Sequence, residues 1–469
     1  MGFPQDFVWG AGTSSYQIEG GVEKHGRGPS VWDKFCETPG KIKHGHTGRT
    51  ACDHVTHYKE DVQLIKNMGL DAYRFSISWS RVMPEGAGAV SEAGLAFYDR
   101  LVDELLASGV TPWVTLFHWD YPLPLYRRGG WLNPSSASWF AEYTRAVVDR
   151  LSDRVSNWIT INEPQVFVGL GHMTGEHAPG LSLPFPEVTR IVHNVLRAHG
   201  LAARCIRECA QTKPVVGWAP VGIVSSPTKG DPEEIDAARA KTFEIERPDV
   251  WNNTWFNDPV VFGEYPEDLL ALTECHLPDG WERDLEIIKQ PLDFLGLNLY
   301  QGARVTLGKG QTAQPVPQEI GRARTAFGWN ITPEVLYWGP RFFHERYKLP
   351  IAITENGLAN LDWVGLDGRV QDPQRIDYTA RHLLELRRAI DDGVRVLGYF
   401  HWSLLDNFEW AEGYDQRFGL VYVDFETQER IPKQSAEWYA EVVRTNGESL
   451  GTAMPRKHPS HTPVPLSGK

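Results

Sequence analysis

Residues 351–357 read Ile-Ala-Ile-Thr-Glu-Asn-Gly, so that a carboxylate, Glu355, directly follows a run of apolar and β-branched residues. Such a run predicts a buried parallel strand, and the Asn-Gly pair predicts the turn that ends it. Residues 158–164, Trp-Ile-Thr-Ile-Asn-Glu-Pro, have the same construction around Glu163. The sequence therefore predicts two glutamates at the C-terminal ends of two buried strands that lie far apart in the chain.

Eight short runs of this kind alternate with segments whose apolar residues recur at helical spacing. The runs lie at residues 7–15, 72–79, 111–117, 157–161, 214–219, 293–300, 351–354 and 395–402. Amphipathic helices are predicted between them, including residues 58–68, 94–108, 139–151, 185–210, 333–347 and 376–392. Because parallel strands need helical crossovers, this alternation predicts a single closed (β/α)8 barrel, the TIM-barrel fold of the α/β class.

The chain of 469 residues is long for such a barrel, which needs about 250. The excess is expected in long βα loops that build walls around one mouth of the barrel, at residues 84–90, 120–134, 229–259 and 307–325. We predict that the catalytic barrel spans residues 1–446. The remaining residues, 447–469, are polar and Pro-rich and are predicted to form a loosely ordered C-terminal tail.

Composition and charge argue against several classes of binding partner. The chain carries 47 basic and 60 acidic side chains, a net charge of -13, which argues against nucleic acid or an anionic membrane as the main partner. No run approaches the roughly 18 apolar residues of a membrane span, and the N-terminus lacks a signal-peptide pattern. Five cysteines without a CxxC pair favour a reduced cytoplasmic chain. Neither HExxH nor a Cys/His finger is present, so no metal and no cofactor are expected.

Polar and aromatic residues cluster where the predicted strands end. The residues concerned are Gln17, Arg74, His118, Trp119, Asn162, Glu163, Asn298, Tyr300, Glu355, Trp402, Glu409 and Trp410. In a closed barrel the C-terminal ends of all strands meet at one face, where catalysis is normally placed. A single glutamate there would more often be a surface charge or a salt bridge, but seven strands contributing together indicate a functional site.

Two glutamates on one barrel face suit the hydrolysis of a glycosidic bond. This reaction needs a proton for the leaving oxygen and an anion to meet the oxocarbenium-like centre. If Glu163 and Glu355 lie about 5 Å apart, their repulsion at an effective dielectric constant of about 20 is about 3 kcal/mol, which keeps one carboxyl protonated while the other is ionised. Arg74 is the cation expected to keep Glu355 charged, and Tyr300 is expected to donate a hydrogen bond to it.

An ordered set of motifs carries a resemblance to a known family. Residues 7–10 read Phe-Val-Trp-Gly, residues 73–79 read Tyr-Arg-Phe-Ser-Ile-Ser-Trp, and residues 402–410 read Trp-Ser-Leu-Leu-Asp-Asn-Phe-Glu-Trp. Together with the Asn-Glu-Pro and Thr-Glu-Asn-Gly motifs around the two glutamates, these motifs make the chain similar to one family, and the ordered set is highly specific. Over residues 7–444 it resembles glycoside hydrolase family 1, the β-glucosidase-like retaining enzymes.

The resemblance implies catalytic roles for individual positions. Glu163 would be the general acid/base, and Glu355 would be the nucleophile that forms a covalent glycosyl-enzyme. Asn162 would hold the sugar 2-hydroxyl. The other supporting residues would be Arg74, Asn298 and Tyr300. The family also implies a cis peptide bond between Trp402 and Ser403.

The resemblance also implies which residues hold the substrate. Those around the non-reducing sugar would be Gln17, His118, Trp119, Trp402, Glu409 and Trp410. On the leaving-group side Trp329 would be an indole platform, and Phe418 would lie near the 6-position of the sugar. The variable wall of the leaving-group site would be built from Val166, Val168, His172, His177 and residues 231–255.

The expected activity is the hydrolysis of terminal non-reducing β-D-glucosyl residues from small β-glucosides or oligosaccharides, such as cellobiose and aryl β-glucosides. The sequence leaves open whether β-galactosides and β-fucosides are also substrates, which leaving group is preferred, and whether the chain is a monomer or a homo-oligomer. The alternative from another class is a non-catalytic glycoside-binding barrel. Members of that kind lose one of the two glutamates, whereas this chain has both.

Overall fold

Eight parallel strands close into a barrel in the computed structural model, which describes residues 2–24, 26–308, 310 and 312–451. The strands are β1 Val8–Gly12, β2 Ala72–Ser76, β3 Thr111–Phe117, β4 Asn157–Asn162, β5 Val215–Ala219, β6 Phe294–Asn298, β7 Ile351–Asn356 and β8 Val396–Trp402. Each strand pairs in parallel with its sequence neighbours, and β1 closes the ring against β8. The predicted (β/α)8 barrel is confirmed.

Helices surround the barrel between successive strands. They are α1 His54–Asn67, α2 Glu92–Ala107, α3 Ser136–Leu151, α4 Phe185–Cys209, α5 Trp281–Ile288, α6 Val335–Tyr347, α7 Pro373–Asp391 and α8 Gln434–Arg444. Six of them match predicted helices to within four residues at either end. The largest difference is at the start of α1, where the sequence His-Val-Thr-His has weak helix propensity, so the helical pattern becomes visible only one turn later.

An apolar plug fills the interior of the barrel below its C-terminal face. The Trp113 ring lies 5.3 Å from that of Phe294 and 4.9 Å from that of Phe400, all inside the strand ring. Because strand side chains alternate with a period of two, the next inward residue of β8 after Phe400 is Trp402. In the same way Arg74 follows Ala72 in β2, so the polar layer begins directly above the plug.

The predicted long βα loops contain short elements of their own. Residues 229–259 include the helix Pro232–Phe243 and the start of the helix Thr254–Val261. The segment 307–325, predicted as a plain surface loop, contains the strand Ala313–Pro315. It belongs to a small three-stranded sheet in which Ala303–Leu307 is the central strand, between Ala313–Pro315 and Ser225–Pro227. Such three-residue strands give too little periodicity to be recognised in sequence. The remaining short α-helices are Ser15–Ile18, Val31–Cys36, Trp79–Val82, Leu123–Arg127, Pro164–Val168 and Glu267–Thr273. A π-helical segment lies at Gly169–Thr174, and further 3-10 helices lie at Lys43–Gly45, Gly130–Leu132, Glu274–His276 and Trp410–Glu412.

The two ends of the described chain meet beneath the barrel. The backbone N–H of Phe3 donates to the carbonyl of Asn446 at 2.9 Å, and the Asn446 amide donates to the carbonyl of Phe3 at 2.7 Å. A short 3-10 helix, Glu448–Gly451, follows with Leu450 buried. Residues 452–469, most of the predicted tail, lie outside the described residues. In the described part of the chain, no helix has the length and apolar character needed to span a membrane.

A network of buried ion pairs joins the last helix to the loops on the C-terminal face. Lys433, which precedes α8, is fully buried and donates to Asp362 at 2.5 Å and to Asp406 at 2.6 Å. Arg375 also pairs with Asp362, at 2.7 Å, and Arg417 pairs with Asp406 at 2.7 Å. Because buried charges are tolerated only when they are paired, the network fixes the loops after β7 and β8 to the body of the barrel.

We predict that Lys433→Met lowers the free energy of unfolding by about 3 kcal/mol, because it leaves two buried carboxylates each short of a cation. The measurement is the denaturant midpoint of the purified chain. Lys24→Met is the control, since Lys24 pairs with Asp53 at 3.1 Å but its side chain is 50% exposed. For an exposed pair we expect a change of about 0.5 kcal/mol or less. Equal midpoints for the two variants would contradict the prediction.

Candidate active site

Glu355 lies near the end of β7, where the chain turns across the mouth of the barrel. In the strand pairing it is opposite Asn298 of β6. Two residues later the chain passes against β8: a Cβ atom on Gly357 would lie 1.8 Å from the carbonyl oxygen of Trp402. Only glycine allows this approach, which explains the glycine that follows the glutamate and the asparagine in the sequence.

The Glu355 carboxylate is held by one cation and one hydroxyl. Nη1 of Arg74 donates to its Oε1 at 2.6 Å, and the Tyr300 hydroxyl donates to its Oε2 at 2.7 Å. Both predicted contacts of Glu355 are therefore present. Burial raises the pKa of Glu355, but the Arg74 charge and the Tyr300 hydrogen bond oppose that rise because they stabilise the ionised form.

Glu163 has a different environment, without a cation at hydrogen-bond distance among its described contacts. It follows β4 with φ 44°, a left-handed conformation that non-glycine residues rarely adopt outside functional sites. Its backbone N–H donates to the carbonyl of Ala219 at 2.7 Å, which fixes this turn. Burial and then the charge of Glu355 raise the pKa of Glu163 well above its ordinary value. Among the described residues, no direct cation contact opposes this rise, as the Arg74 contact does at Glu355.

The side-chain amide of Asn298 connects the two glutamates. The hydroxyl of Thr354 donates to Asn298 Oδ1 at 2.6 Å, which turns the NH2 group toward Oε1 of Glu163 at 2.8 Å. A hydrogen bond from Asn298 also lowers the pKa of Glu355. Both carboxyls thus lie within reach of one amide and line one cavity, on the same end of the barrel.

This cavity has a volume of about 750 Å³ and opens at the C-terminal face. It brings together eleven of the fourteen sequence-predicted site residues: His118, Trp119, Glu163, Asn298, Tyr300, Trp329, Glu355, Trp402, Glu409, Trp410 and Phe418. The other three, Gln17, Arg74 and Asn162, are fully buried behind its wall. Arg74 binds Oδ1 of Asn162 at 2.5 Å, so these two form the layer below the cavity floor.

Stacked rings form one side of the cavity. The imidazole of His118 lies 5.6 Å from the Trp402 ring and nearly parallel to it, and the rings of Trp119 and Trp410 are 4.6 Å apart. Trp119 and Trp410 have positive φ angles of 79° and 51°. Burial keeps the pKa of His118 well below its usual range, so this ring is neutral. The result is an apolar, uncharged surface of the kind that stacks on a sugar ring.

Glu409 provides the carboxylate of this wall. Burial and the nearby Glu355 raise the pKa of Glu409 to about 8. Gln17 lies behind it: its amide donates to Oε2 of Glu409 at 3.3 Å, to the carbonyl of Phe408 at 3.0 Å and to Oδ1 of Asn407 at 2.9 Å. Gln17 therefore lies next to Glu409 in the structure, and its implied contact with the sugar stays a prediction.

The opposite side of the cavity is also aromatic but more open. Trp329 and Phe327 stack with their rings 4.7 Å apart, and both lie beside Phe418. Trp329 also lies beside Tyr300. Sequence analysis did not single out the further lining residues Leu170, Glu176, Val221, Gln301, Phe327, Asn330 and Glu412. Gln301 and Asn330 could have been predicted, because each directly follows a predicted site residue, Tyr300 or Trp329. No sequence feature indicates Glu176, which lies in an irregular loop.

The expected leaving-group wall is present only in part. Val166, His177 and Trp251, which belongs to the segment 231–255, line the cavity. Val168 and His172 do not: Val168 is fully buried, and Nδ1 of His172 bonds the carbonyl of Phe167 at 2.9 Å. Val168 ends the helix Pro164–Val168, and His172 lies in the π-helical segment Gly169–Thr174 that follows it. Sequence spacing within such short segments does not tell which side is buried.

The sequence matches a known protein family along nearly its whole length. The model of glycosyl hydrolase family 1 matches residues 1–448. The chain belongs to glycosyl hydrolase family 1. The cis peptide bond that membership implies between Trp402 and Ser403 is present. Among the described residues of this family 1 chain, no group of three or more His, Cys, Asp or Glu side chains is arranged to hold a metal ion.

Relatives within glycosyl hydrolase family 1 match the chain in sequence and in structure. Beta-glucosidase A of Thermotoga maritima is 46% identical over 449 residues, covering 95% of this chain and 98% of the relative. The 1,4-beta-D-glucan glucohydrolase of Thermotoga neapolitana is 45% identical over 452 residues, covering 95% and 99%. The solved structure of the beta-glucosidase from Thermotoga maritima in complex with deoxynojirimycin superimposes with a TM-score of 0.87 at 44% identity, with 95% and 99% of the chains covered.

We predict that Glu355→Gln lowers the pKa of Glu163, because the variant removes the negative charge that raises it while burial is unchanged. Carbon-13 NMR titration of the glutamate carboxyl groups measures this change. Glu176→Gln is the control: it removes an exposed carboxylate from the same cavity, and we expect the pKa of Glu163 to stay near its native value. A pKa of Glu163 that is equal or higher in Glu355→Gln would show that the two carboxyls do not interact.

Proposed function

We propose that the chain is a retaining β-glucosidase, which removes terminal non-reducing β-D-glucosyl residues from small glucosides and oligosaccharides through a covalent glycosyl-enzyme. The observation that carries this proposal is the unequal environment of the two glutamates. Glu355 is paired with Arg74 at 2.6 Å, whereas Glu163 accepts only a neutral amide donor. One anion and one acid facing the same cavity are the two groups that this reaction needs.

In the first step the Glu355 carboxylate attacks the anomeric carbon, and the bond to the leaving oxygen breaks. The proton of Glu163 passes to that oxygen, so the leaving group departs as a neutral alcohol. The products are a glycosyl ester on Glu355 and an ionised Glu163. Because Glu355 loses its charge in the ester, the repulsion that adds to the effect of burial on the pKa of Glu163 disappears, and the ionised form of Glu163 is less disfavoured at this stage.

In the second step a water molecule enters on the face that the leaving group has vacated. Glu163 now takes a proton from this water as its oxygen attacks the anomeric carbon, and the bond to Glu355 breaks. The sugar is released with its original anomeric configuration, and both glutamates return to their starting states. Arg74 and Tyr300 stabilise Glu355 as a leaving carboxylate, since both donate to its oxygens.

The supporting residues fit the recognition of an uncharged sugar. We infer that Trp402 and Trp410 stack on the ring of the sugar and that Glu409 accepts from its 4- and 6-hydroxyls. Hydroxyl donors favour the charged form of Glu409, which burial alone disfavours. The names of the relatives, beta-glucosidase A and 1,4-beta-D-glucan glucohydrolase, support β-glucosides as the substrate class. We propose β-galactosides and β-fucosides as further substrates of the same site.

We predict opposite products when azide rescues the two glutamate variants. Glu163→Ala slows hydrolysis by about 10²–10⁴-fold. Azide in the vacated space then attacks the glycosyl-enzyme and gives a β-glucosyl azide. Glu355→Ala loses turnover, and azide on the opposite face gives an α-glucosyl azide. Proton NMR of the products from an aryl β-glucoside with a good leaving group distinguishes the two anomers.

The control for the azide experiment is Glu176→Gln, which changes a cavity carboxylate without a proposed catalytic role and should keep near-native rates without azide. Glu163→Ala with native rates on cellobiose would disprove the assigned acid. If the native chain releases no phenol from an aryl β-glucoside, the barrel is a non-catalytic glycoside-binding module.

We predict that Glu409→Gln lowers kcat/KM for an aryl β-glucoside by about 10–100-fold, because hydrogen bonds to a charged acceptor contribute about 1.5–3 kcal/mol. The factor should be smaller for the matching 6-deoxy-β-glucoside, which lacks only the 6-hydroxyl. Steady-state kinetics of the two substrates with native chain and variant measure the difference. An equal loss for both sugars would show that Glu409 does not contact the 6-hydroxyl.

A further inference from the structure

Two cysteines lie side by side at the C-terminal end of α4. Cys205 and Cys209 are about one helical turn apart, and the Cys205 thiol donates to Sγ of Cys209 with the two sulfur atoms 4.0 Å apart. Both side chains are half-buried, so solvent reaches them. The other cysteines differ, because Cys36 and Cys52 are buried and Cys275 is exposed. We refer to Cys205 and Cys209 as the thiol pair.

The helix keeps the thiol pair from closing into an unstrained disulfide. Residues four apart on an α-helix have their Cβ atoms about 5–6 Å apart, whereas a disulfide needs about 3.5–4.5 Å. Oxidation would therefore distort the last turn of α4. A metal ion reaches further, because two metal–sulfur bonds of about 2.3 Å span up to about 4.6 Å. One ion thus bridges the sulfur–sulfur distance of 4.0 Å without a change in the helix.

We propose that the thiol pair binds Cu(I), a soft ion that is satisfied by two sulfur ligands. Cysteine sulfur is the kind of ligand that soft ions select. Zinc and iron–sulfur clusters also bind cysteine, but they take four ligands. Among the described residues, no group of three or more His, Cys, Asp or Glu side chains is arranged to hold a metal ion. The proposed site is thus different from the HExxH and Cys/His patterns whose absence led to the expectation of no metal.

Arg145 of α3 supplies the positive charge that such a complex needs. Two thiolates and one monovalent ion form a complex with one net negative charge. Nη1 of Arg145 donates to Sγ of Cys209 at 3.0 Å. Asp149 acts on Cys205 in the opposite sense to Arg145, but the effect of Arg145 is the larger of the two. The guanidinium therefore stabilises the anionic complex more than it stabilises the neutral thiols.

The binding step is an exchange of protons for a metal ion. Burial, and then the charge of Cys209, raise the pKa of Cys205 to about 12, so this side chain is a neutral thiol until an ion binds. When Cu(I) binds, both S–H bonds break, two copper–sulfur bonds form and two protons leave to solvent. Neither sulfur nor copper changes its oxidation state, so no oxidant or reductant takes part. Neither cysteine lines the catalytic cavity, so the site is independent of the proposed hydrolysis.

Competition for Cu(I) under anaerobic conditions tests the site. The full chain is titrated with Cu(I) in ascorbate against bathocuproine disulfonate, whose copper complex is coloured. The native chain should bind Cu(I) about 10²–10⁴-fold more tightly than Cys205→Ser or Cys209→Ser, because the second sulfur contact is intramolecular. Cys275→Ser is the matched control, since it removes an exposed cysteine outside the thiol pair. It should keep the native affinity.

Phenylarsine oxide provides a second measurement that needs no variant. Its trivalent arsenic forms two arsenic–sulfur bonds with a close pair of thiols and releases one water molecule, without a change in oxidation state. Intact-mass spectrometry of the native chain should show one adduct that survives excess 2-mercaptoethanol and is removed by 2,3-dimercaptopropanol. Because the adduct occupies both sulfur atoms, it should abolish the binding of Cu(I).

Three results would overturn the proposal. The first is an equal Cu(I) affinity in the native chain and in Cys205→Ser. The second is Cu(I) binding that the arsenical does not block. The third is a loss of affinity in Cys275→Ser, which would place the ion at Cys275 and its neighbour His276, whose Nδ1 lies 3.5 Å from the Cys275 sulfur.

Discussion

The buried pair of Arg74 and Glu355 determines how the rest of the site is arranged. A carboxylate inside a barrel, directly above an apolar plug, is ionised only if a cation compensates the loss of water. Arg74 supplies that charge from β2, on the far side of the barrel, at 2.6 Å. Once Glu355 carries its charge, any second carboxyl in the same cavity is pushed toward its neutral form. The raised pKa of Glu163 thus follows from its own burial first and from the charge of the pair second.

The barrel was predictable from the periodicity of its apolar residues. Its catalytic layer was predictable from the positions of polar residues relative to the predicted strands. Parallel strands buried on two sides appear as continuous apolar runs, and β3 agrees with its predicted bounds at both ends. The closed ring then requires the residues after each run to meet at one face. That requirement places Glu163 beside Glu355 although nearly two hundred residues separate them in sequence. The Arg74 and Tyr300 contacts follow from the same geometry, since Arg74 points inward from β2 above the plug and Tyr300 follows β6.

Details that depend on side-chain direction were not predictable. The protein partners of the Gln17 amide, the carbonyl of Phe408 and Oδ1 of Asn407, are one such detail. Val168 and His172 belong to the predicted wall but point into the core. In each of these cases the backbone position was right and the orientation was set by tertiary neighbours. Short elements such as Ala313–Pro315 escaped detection for a related reason, because pairing with Ala303–Leu307 stabilises them more than their own sequence does.

The loops that form the cavity face a physical conflict. They must be long enough to surround a sugar, yet a catalytic geometry tolerates little movement. Buried ion pairs resolve this conflict: Lys433 joins Asp362 of the loop after β7 to Asp406 of the loop after β8. The second of these loops carries Glu409 and Trp410. Because inward-facing charges hold the first loop, the apolar residues on both sides of Asp362 face outward, so the same anchoring that orders the cavity also creates an exposed apolar surface beside it.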